Sequence, residues 1–136
     1  MPVYNCISPE GSLSDAVREK VATGITDAHC KSTGVPRNFV HVFFRETSST
    51  LFDKPYFIDG VNRAGRPEGV VLALKEDLRK AYSEGAGIAL DQIGARISET
   101  PASWIMEGGD ILPEPGEEDE KWFSQDTTSS VNAADR

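Results

Sequence analysis

A proline directly behind the first methionine is the most distinctive chemical feature of this sequence. When Met1 is removed, Pro2 becomes a secondary amine at the start of the chain. The pKa of an α-amino group starts near roughly 7.7 to 8.0, and an apolar pocket with neighbouring cations lowers it toward neutrality. A neutral amine can take a proton from the carbon beside a carbonyl or enol and return it elsewhere. The sequence therefore predicts general acid–base catalysis by Pro2, with no cofactor and no metal.

Two arginines offer an anion site for such a catalyst. Arg63 and Arg66 are three residues apart in a loop that ends at Pro67, where a predicted helix begins. The N-terminus of a helix favours an anion, and the forked guanidinium group matches a carboxylate with two hydrogen bonds. The pattern predicts that a small carboxylate binds there. Three further residues complete the set of candidates, namely His29, Arg96 and Glu107.

Each candidate also has a structural interpretation that needs no chemistry. Pro2 fits the edge of a first strand, and His29 fits the end of a helix, where histidine often caps the last carbonyls. The arginine pair is typical of solvated loop charges. Glu107 is one of seven acids between residues 107 and 120, and Arg96 lies mid-strand, where alternation favours a solvent-facing position. Taken singly, each residue is more typical of structure than of catalysis.

Composition limits the classes of protein that this chain can be. Its 136 residues, 38% hydrophobic and 26% charged, are enough for one domain with a substantial core. The net charge of −8 argues against a nucleic-acid-binding protein, because phosphate contacts need a basic surface. Residues 107–120 contain seven acids and no base, so the rest of the chain is close to neutral.

Cysteine content and hydropathy predict a cytoplasmic protein. Cys6 and Cys30 lack the clustering of metal ligands and are too few for a disulfide framework. No stretch reaches the apolar length of a membrane span, and the N-terminus does not resemble a signal peptide. Motifs for phosphate loops, dinucleotide binding, zinc proteases and serine hydrolases are missing from the sequence. We therefore expect neither a membrane nor a nucleic acid among its partners.

The sequence repeats itself weakly at an offset of 53 residues, without a gap. Matching pairs occur in order along the chain, and they include Pro2 with Pro55, Tyr4 with Phe57, Val17 with Val70, Ala28 with Ala81, and Glu46 with Glu99. Each half has the pattern of a strand, a helix and a second strand. The repeat predicts two βαβ units.

The predicted elements follow from periodicity and from capping residues. In the first half they are a strand at 3–7, a helix capped by Ser12 and ended by Gly34 and Pro36, and a strand at 39–46. In the second half they are a strand at 56–60, a helix that opens at Pro67, and a strand at 93–99.

Two βαβ units predict an α/β fold in which one four-stranded sheet carries both helices on one face. The other face would be bare, so we expect it to pack against further subunits. The predicted organisation is a single domain over 1–123, with half-repeats at about 2–48 and 55–101 and a C-terminal arm at 102–123 that docks through Trp122 and Phe123. Residues 124–136 have little to bury, so we expect a mobile tail.

Four stretches of this sequence together resemble the tautomerase superfamily, and within it the cis-3-chloroacrylic acid dehalogenase group. They are MPVY at the N-terminus, ITDAH ending at His29, NRAGR at 62–66, and ETPASWIMEGGDILPEPG at 99–116. The resemblance covers roughly residues 2–123. It implies a homotrimer in which Pro2 is the general acid or base, His29, Arg63 and Arg66 hold a substrate carboxylate, and Glu107 helps to activate water.

One position departs from that resemblance. The dehalogenase group carries a tyrosine in the last strand beside the attacking water, and the matching residue here is Arg96. An arginine stays protonated and cannot share a proton as a phenol can. The departure favours proton transfer by Pro2 over hydration, and it leaves Arg96 as a catalytic candidate that would add a third cation for a dianionic substrate.

The sequence as a whole predicts a cofactor-independent enzyme that acts on a small carboxylate. Tautomerisation of an enol or 2-oxo acid is the first expectation, and hydrolytic dehalogenation or hydration of a 3-substituted acrylate is the activity that the resemblance implies. Two alternatives remain, namely decarboxylation of a small 3-oxo acid and a non-catalytic, cytokine-like binding protein with a vestigial pocket.

Overall fold

The computed structural model of the protein describes residues 2–49 and 53–124. Its helices and strands are, in chain order, β1 (Val3–Pro9), α1 (Asp15–Thr33), β2 (His41–Thr47), β3 (Tyr56–Arg63), α2 (Glu68–Ala86), β4 (Ile93–Thr100), β5 (Met106–Glu107) and β6 (Asp110–Ile111). Both long helices have 19 residues, and they begin at Asp15 and Glu68, 53 positions apart. The structure therefore reproduces the sequence repeat.

The four long strands form one mixed sheet in the order β2-β1-β3-β4. The β1–β2 and β3–β4 pairs are parallel, and the two halves join through the antiparallel β1–β3 pair. A parallel connection must cross over the sheet, which is why a helix separates the two strands of each parallel pair. The predicted α/β fold of two βαβ halves is confirmed.

The core lies between the sheet and the two helices. Alternate side chains of the strands, among them Tyr4 and Cys6 of β1, are fully buried there. The helices contribute the apolar residues Val21, Ile25, Leu74, Leu78 and Tyr82. Both helices thus cover the same face of the sheet.

No helix among the described residues covers the opposite sheet face, which we call the open face. Val3 and Ile7 are half-buried on it, and the Phe43 side chain is 54% exposed. Asp59 and Arg96, which are paired in the β3–β4 register, form an ion pair there. Phe43 is a large exposed apolar residue in the middle of a strand. Such a residue is what we expect on a face that packs against further subunits.

Two local predictions are wrong. Ser14, not Ser12, caps α1, because the Val17 amide donates to the Ser14 hydroxyl at 3.2 Å. The Ser12 hydroxyl instead donates to the Pro9 carbonyl at 2.7 Å and tightens the turn after β1. Phe39 lies in a short 3-10 turn rather than in the predicted strand, and β2 starts at His41. The helix end at Gly34 is confirmed, with φ of 74°.

The C-terminal arm, residues 102–124 as the structure describes it, folds back on the end of α1. After a 3-10 turn (Ala102–Trp104) and the β5–β6 hairpin, the chain brings Trp122 against Phe39 and Val35. The two aromatic rings meet edge to face at 4.7 Å. Phe123 remains 43% exposed. Except for Ser124, the predicted mobile tail lies outside the described residues.

Within the described part of the chain, the helices are too short or too polar to cross a membrane. The same residues hold no group of three or more histidine, cysteine or acidic side chains arranged to bind a metal ion.

Candidate active site

Pro2 lies immediately before β1, at the end of a central strand of the sheet. It is buried, and its carbonyl accepts a hydrogen bond from the His41 amide at 3.0 Å. Alternation along the strand places Pro2 and Tyr4 on the same side, toward the helices. The first residue of the candidate site is therefore fixed by the sheet and shares its face with Tyr4.

Tyr4 joins Pro2's strand to His29 of α1. The Tyr4 hydroxyl lies 2.6 Å from His29 Nδ1, and the Asn62 side-chain amide donates to the same hydroxyl at 3.1 Å. Gly60 stands opposite Tyr4 in the antiparallel register, and a Cβ at Gly60 would come within 2.6 Å of the Tyr4 ring. A glycine is needed here so that the tyrosine ring can cross β3 and reach the histidine.

This network sets the tautomer of His29. The Tyr4 oxygen accepts the amide proton of Asn62, and within the described residues the acceptor in reach of its own proton is His29 Nδ1, so we assign Tyr4 as the donor to Nδ1. The imidazole carries its proton on Nε2. His29 is fully buried, and Nε2 has no hydrogen-bond partner within the described residues. The site thus holds one unused N–H donor.

Burial also keeps this histidine neutral. Desolvation, with Arg66 and Arg63 as smaller contributions, lowers the pKa of His29 from 6.5 to about 3. Burial raises the pKa of Tyr4 above its usual range, so the phenol stays protonated as the network requires. At neutral pH, His29 is therefore a hydrogen-bond donor and not a cation.

The two arginines behave differently. Arg66 is half-buried and donates to the Arg63 carbonyl at 3.4 Å, and within the described residues no carboxylate forms an ion pair with it. Burial, together with repulsion from Arg63, lowers its pKa. A partly buried guanidinium group in this position favours a bound anion.

Arg63 is turned toward the C-terminal arm. It donates to the Pro113 carbonyl at 2.5 Å and to Glu118 Oε2 at 3.0 Å, and its guanidinium carbon lies 5.1 Å from the centre of the Trp122 ring. The side chains of Arg63 and Glu118 are 2% and 8% exposed. Burial alone would raise the pKa of Glu118, but its hydrogen bonds and the Arg63 charge lower it.

Residues 1–76, more than half of the chain, match the family described as "Putative oxalocrotonate tautomerase enzyme". The chain belongs to this tautomerase family. The match includes Pro2, His29 and both arginines, and it ends before β4.

Solved structures extend the likeness to the whole fold of this chain. A member of the cis-3-chloroacrylic acid dehalogenase family, N1, is 25% identical with a TM-score of 0.82, covering 96% of this chain and 99% of its own. A fused 4-OT, an asymmetric trimer, is 19% identical with a TM-score of 0.72 over 80% and 94% of the two chains. Malonate semialdehyde decarboxylase is 17% identical with a TM-score of 0.67 over 78% and 90%. No curated protein sequence matches the chain.

The other two predicted site residues, Glu107 and Arg96, lie on different elements from His29. Glu107 is half-buried in β5 of the hairpin that follows β4. Arg96 is exposed on the open face, where it donates to both oxygens of Asp59 at 3.1 and 2.9 Å. Within one chain, the sheet therefore separates Arg96 from His29. Its predicted catalytic role would need the open face of one subunit to adjoin the site of another.

Sequence reasoning missed three residues that organise the site. Tyr4 and Asn62 orient His29, and Glu118 occupies Arg63. For Tyr4 there was a signal, because it lies two residues after Pro2 on the same strand face. Asn62 precedes Arg63 directly, but only the β1–β3 register shows that it reaches Tyr4. Glu118 is hidden within a run of acids.

A groove of about 670 Å³ lies elsewhere on the surface, between α1 and α2. Its charged lining residues are Lys20, Lys31, Asp27, Asp77 and Glu84. The groove contains none of the candidate site residues, and its cations alternate with acids. The buried polar cluster around His29 is the better candidate for chemistry.

Proposed function

We propose that this tautomerase-family protein is a cofactor-independent enzyme that uses the amine of Pro2 as general acid and base on a small carboxylate substrate. The observation that carries the proposal is the Nε2–H of the buried, neutral His29, which has no hydrogen-bond partner within the described residues. His29 contacts Tyr4, which follows Pro2 by two residues on the same side of the sheet. Arg66 supplies a half-buried positive charge to the same cluster. The N–H donor and the cation can bind the carboxylate of a substrate. The carbon next to that carboxylate would then face the amine of Pro2, which can exchange a proton with it.

The first activity is tautomerisation. With Met1 removed, the neutral Pro2 nitrogen accepts the enol proton of a 2-hydroxy-2-enoate. The oxygen forms the ketone as the C=C bond opens, and the ammonium of Pro2 delivers a proton to the carbon that gains the electron pair. Both proton transfers use one group, so no cofactor is required.

Water chemistry is the second activity of the same site. The likeness to the cis-3-chloroacrylic acid dehalogenase family supports hydration or hydrolytic dehalogenation of a 3-substituted acrylate. Glu107 would activate the water, with Pro2 as the acid that protonates carbon. The tautomerisation needs fewer groups, because neither Glu107 nor the position of Arg96 takes part in it.

The test compares the purified protein with Pro2→Ala on phenylenolpyruvate, after the intact mass has shown that Met1 is removed. The wild-type protein should ketonise the substrate, and Pro2→Ala should lose most of that activity, because the primary amine has a different pKa and orientation. Pro9→Ala, at the other end of β1, controls for loss of a strand proline and should stay active. Equal activity in wild type and Pro2→Ala would overturn the proposal.

Assays on the same wild-type protein also test two alternative functions. Release of carbon dioxide from a 3-oxo acid, with no ketonisation of the enol, would make it a decarboxylase, like its structural neighbour malonate semialdehyde decarboxylase. Retention of Met1 with no activity on any of these substrates would favour a binding protein.

A further inference from the structure

Glu118 is a carboxylate supplied by the protein's own chain to the predicted substrate-binding arginines. Its Oε2 accepts from Arg63 at 3.0 Å, and its Oε1 accepts from the Gly116 amide at 2.5 Å. Both carboxylate oxygens therefore have a partner. An ion pair that is this deeply buried and this fully hydrogen-bonded is a built part of the site rather than a chance surface contact.

The remaining contacts of Arg63 hold it in this arrangement. One terminal nitrogen donates to the Pro113 carbonyl, and the indole of Trp122 covers the guanidinium group. Pro113, Glu118 and Trp122 all belong to the C-terminal arm. Arg63 has two of its nitrogens committed to the arm and almost no exposed surface left for a ligand.

The net positive charge of the cluster is therefore smaller than the two arginines of the sequence alone would give. Arg63 and Arg66 would together offer two positive charges, but Glu118 neutralises one of them. His29 contributes a donor and no charge. Summed over Arg63, Arg66, Glu118 and His29, what is left for a ligand is one positive charge, on Arg66, and one N–H, on His29.

We infer that Glu118 sets the charge selectivity of this site, so that Arg66 and His29 accept one carboxylate and a second carboxylate on the ligand is disfavoured. The inference rests on the carboxylate-binding part of the proposed function and not on the proton transfer. A dicarboxylate would place its second charge where Glu118 already occupies Arg63, and the described residues of the His29 cluster offer no second unpaired cation to compensate it. Glu118 is a specificity-determining residue that touches Arg63 and not the reacting atoms.

The experiment measures binding with two probes that differ in one group. Propionate and malonate differ only by a methyl group replaced with a second carboxylate. Calorimetric titration at neutral pH should show that the wild-type protein binds propionate more tightly than malonate. Glu118→Gln keeps the shape and removes the charge, and it should shift the malonate-to-propionate affinity ratio toward malonate by about tenfold. Glu117→Gln, one residue away and exposed, is the matched control and should keep the wild-type ratio.

A second variant separates charge from anchoring of the arm. In Arg63→Met combined with Glu118→Met, both charges of the pair are removed together and the net charge of the cluster is unchanged. Apolar replacement of a buried ion pair is tolerated in proteins. This double variant should keep the preference for propionate. Docking of the arm is followed by Trp122 fluorescence in a Trp104→Phe background, since Trp104 is 74% exposed.

Three results would overturn the inference. One is an unchanged affinity ratio in Glu118→Gln with Trp122 still buried. Another is a malonate-to-propionate affinity ratio that changes in both variants whenever Trp122 fluorescence shows that the arm has undocked, whether or not the net charge of the cluster has changed. The third is a wild-type protein that binds neither probe, which removes the carboxylate site and the proposed function with it. Loss of the proton transfer alone, with propionate binding intact, would count against Pro2 and leave the role of Glu118 standing.

Discussion

The protonation state of His29 decides what the candidate site can bind. A charged imidazole there would add a third cation beside Arg63 and Arg66, whereas the neutral ring adds one directed donor. The hydrogen bonds of Tyr4 and Asn62 determine that Nε2 is the donor atom, and burial keeps the imidazole neutral. Because the buried ring must lose its proton to fold, the same residue makes the stability of the protein depend on pH.

The pH dependence has a definite sign. The pKa of His29 is about 3 in the folded protein and 6.5 in the unfolded chain, so the unfolded chain binds more protons between these values. The free energy of unfolding should therefore be fully retained above about pH 6.5 and should fall as the pH is lowered toward 3. One histidine contributes a slope of at most about 1.4 kcal/mol per pH unit.

Urea denaturation of variants between pH 7 and 4 measures this contribution. His29→Gln should flatten the slope relative to wild type. His41→Gln removes the other histidine of the sequence, from an exposed position at the start of β2, and is the matched control that should flatten the slope less than His29→Gln does. Equal slopes in wild type and His29→Gln would show that folding does not lower the pKa of His29.

At the scale of elements, the close approach of α1 and α2 is what brings His29 over the sheet. The helices touch through small residues. A Cβ on Gly24 would lie 3.5 Å from Ala81 Cβ, and a Cβ on Gly85 would lie 3.0 Å from the Val21 backbone and side chain. A methyl group at Gly85 would sit closer to Val21 than ordinary van der Waals contact, so α1 and α2 must move apart by a few tenths of an ångström to admit it.

Two glycine substitutions in α2 test this packing. Gly85→Ala should lower the free energy of unfolding, because overpacking costs about 1 to 3 kcal/mol and exceeds the roughly 1 kcal/mol that alanine gains in helix propensity. Gly69→Ala, on the same helix but with open space around its Cβ, should be stabilising by up to about 1 kcal/mol. Chemical denaturation of both variants gives the two values. A gain of stability in Gly85→Ala would show that the helices are not in contact there.

At the scale of the whole molecule, the open sheet face of a single chain leaves apolar side chains exposed to solvent. Phe43 is as exposed as a surface residue although it lies in a strand, and half-buried Val3 and Ile7 adjoin it in the β1–β2 pair. The fused 4-OT neighbour with the same fold is a trimer. Assembly through this face would also bring the Asp59–Arg96 pair of one subunit toward its neighbour.

We expect a homotrimer, and light scattering should give three times the mass of one chain at micromolar concentration. Phe43→Glu should dissociate it, because a carboxylate on the open face opposes burial. Leu72→Glu is the control, since Leu72 is 55% exposed on α2, on the opposite layer, and Phe43 is 54% exposed. A monomeric wild-type protein, or equal dissociation by both variants, would contradict assembly through the sheet.

The sequence by itself determined the two βαβ halves, their spacing and the ends of most elements. These features are encoded locally, in the repeat of apolar residues along α1 and α2 and in Gly34, whose left-handed conformation ends the first helix. The sequence also singled out Pro2, His29 and the arginines as candidates, through their order along the chain. It placed the first helix cap at Ser12 instead of Ser14 because both residues have a hydroxyl group, and only the backbone path decides which one faces the free amides.

Only the tertiary structure decided what the polar residues do. The tautomer of His29 depends on Tyr4, 25 residues before it, and on Asn62, which contacts Tyr4 across 58 positions of sequence. Arg63 is engaged by Glu118, 55 positions away. Hydrogen bonds and ion pairs between such distant residues follow from the sheet register and from the path of the arm, neither of which leaves a periodic pattern in the sequence. Local periodicity therefore specifies the elements, and the contacts between distant residues specify the chemistry of the site.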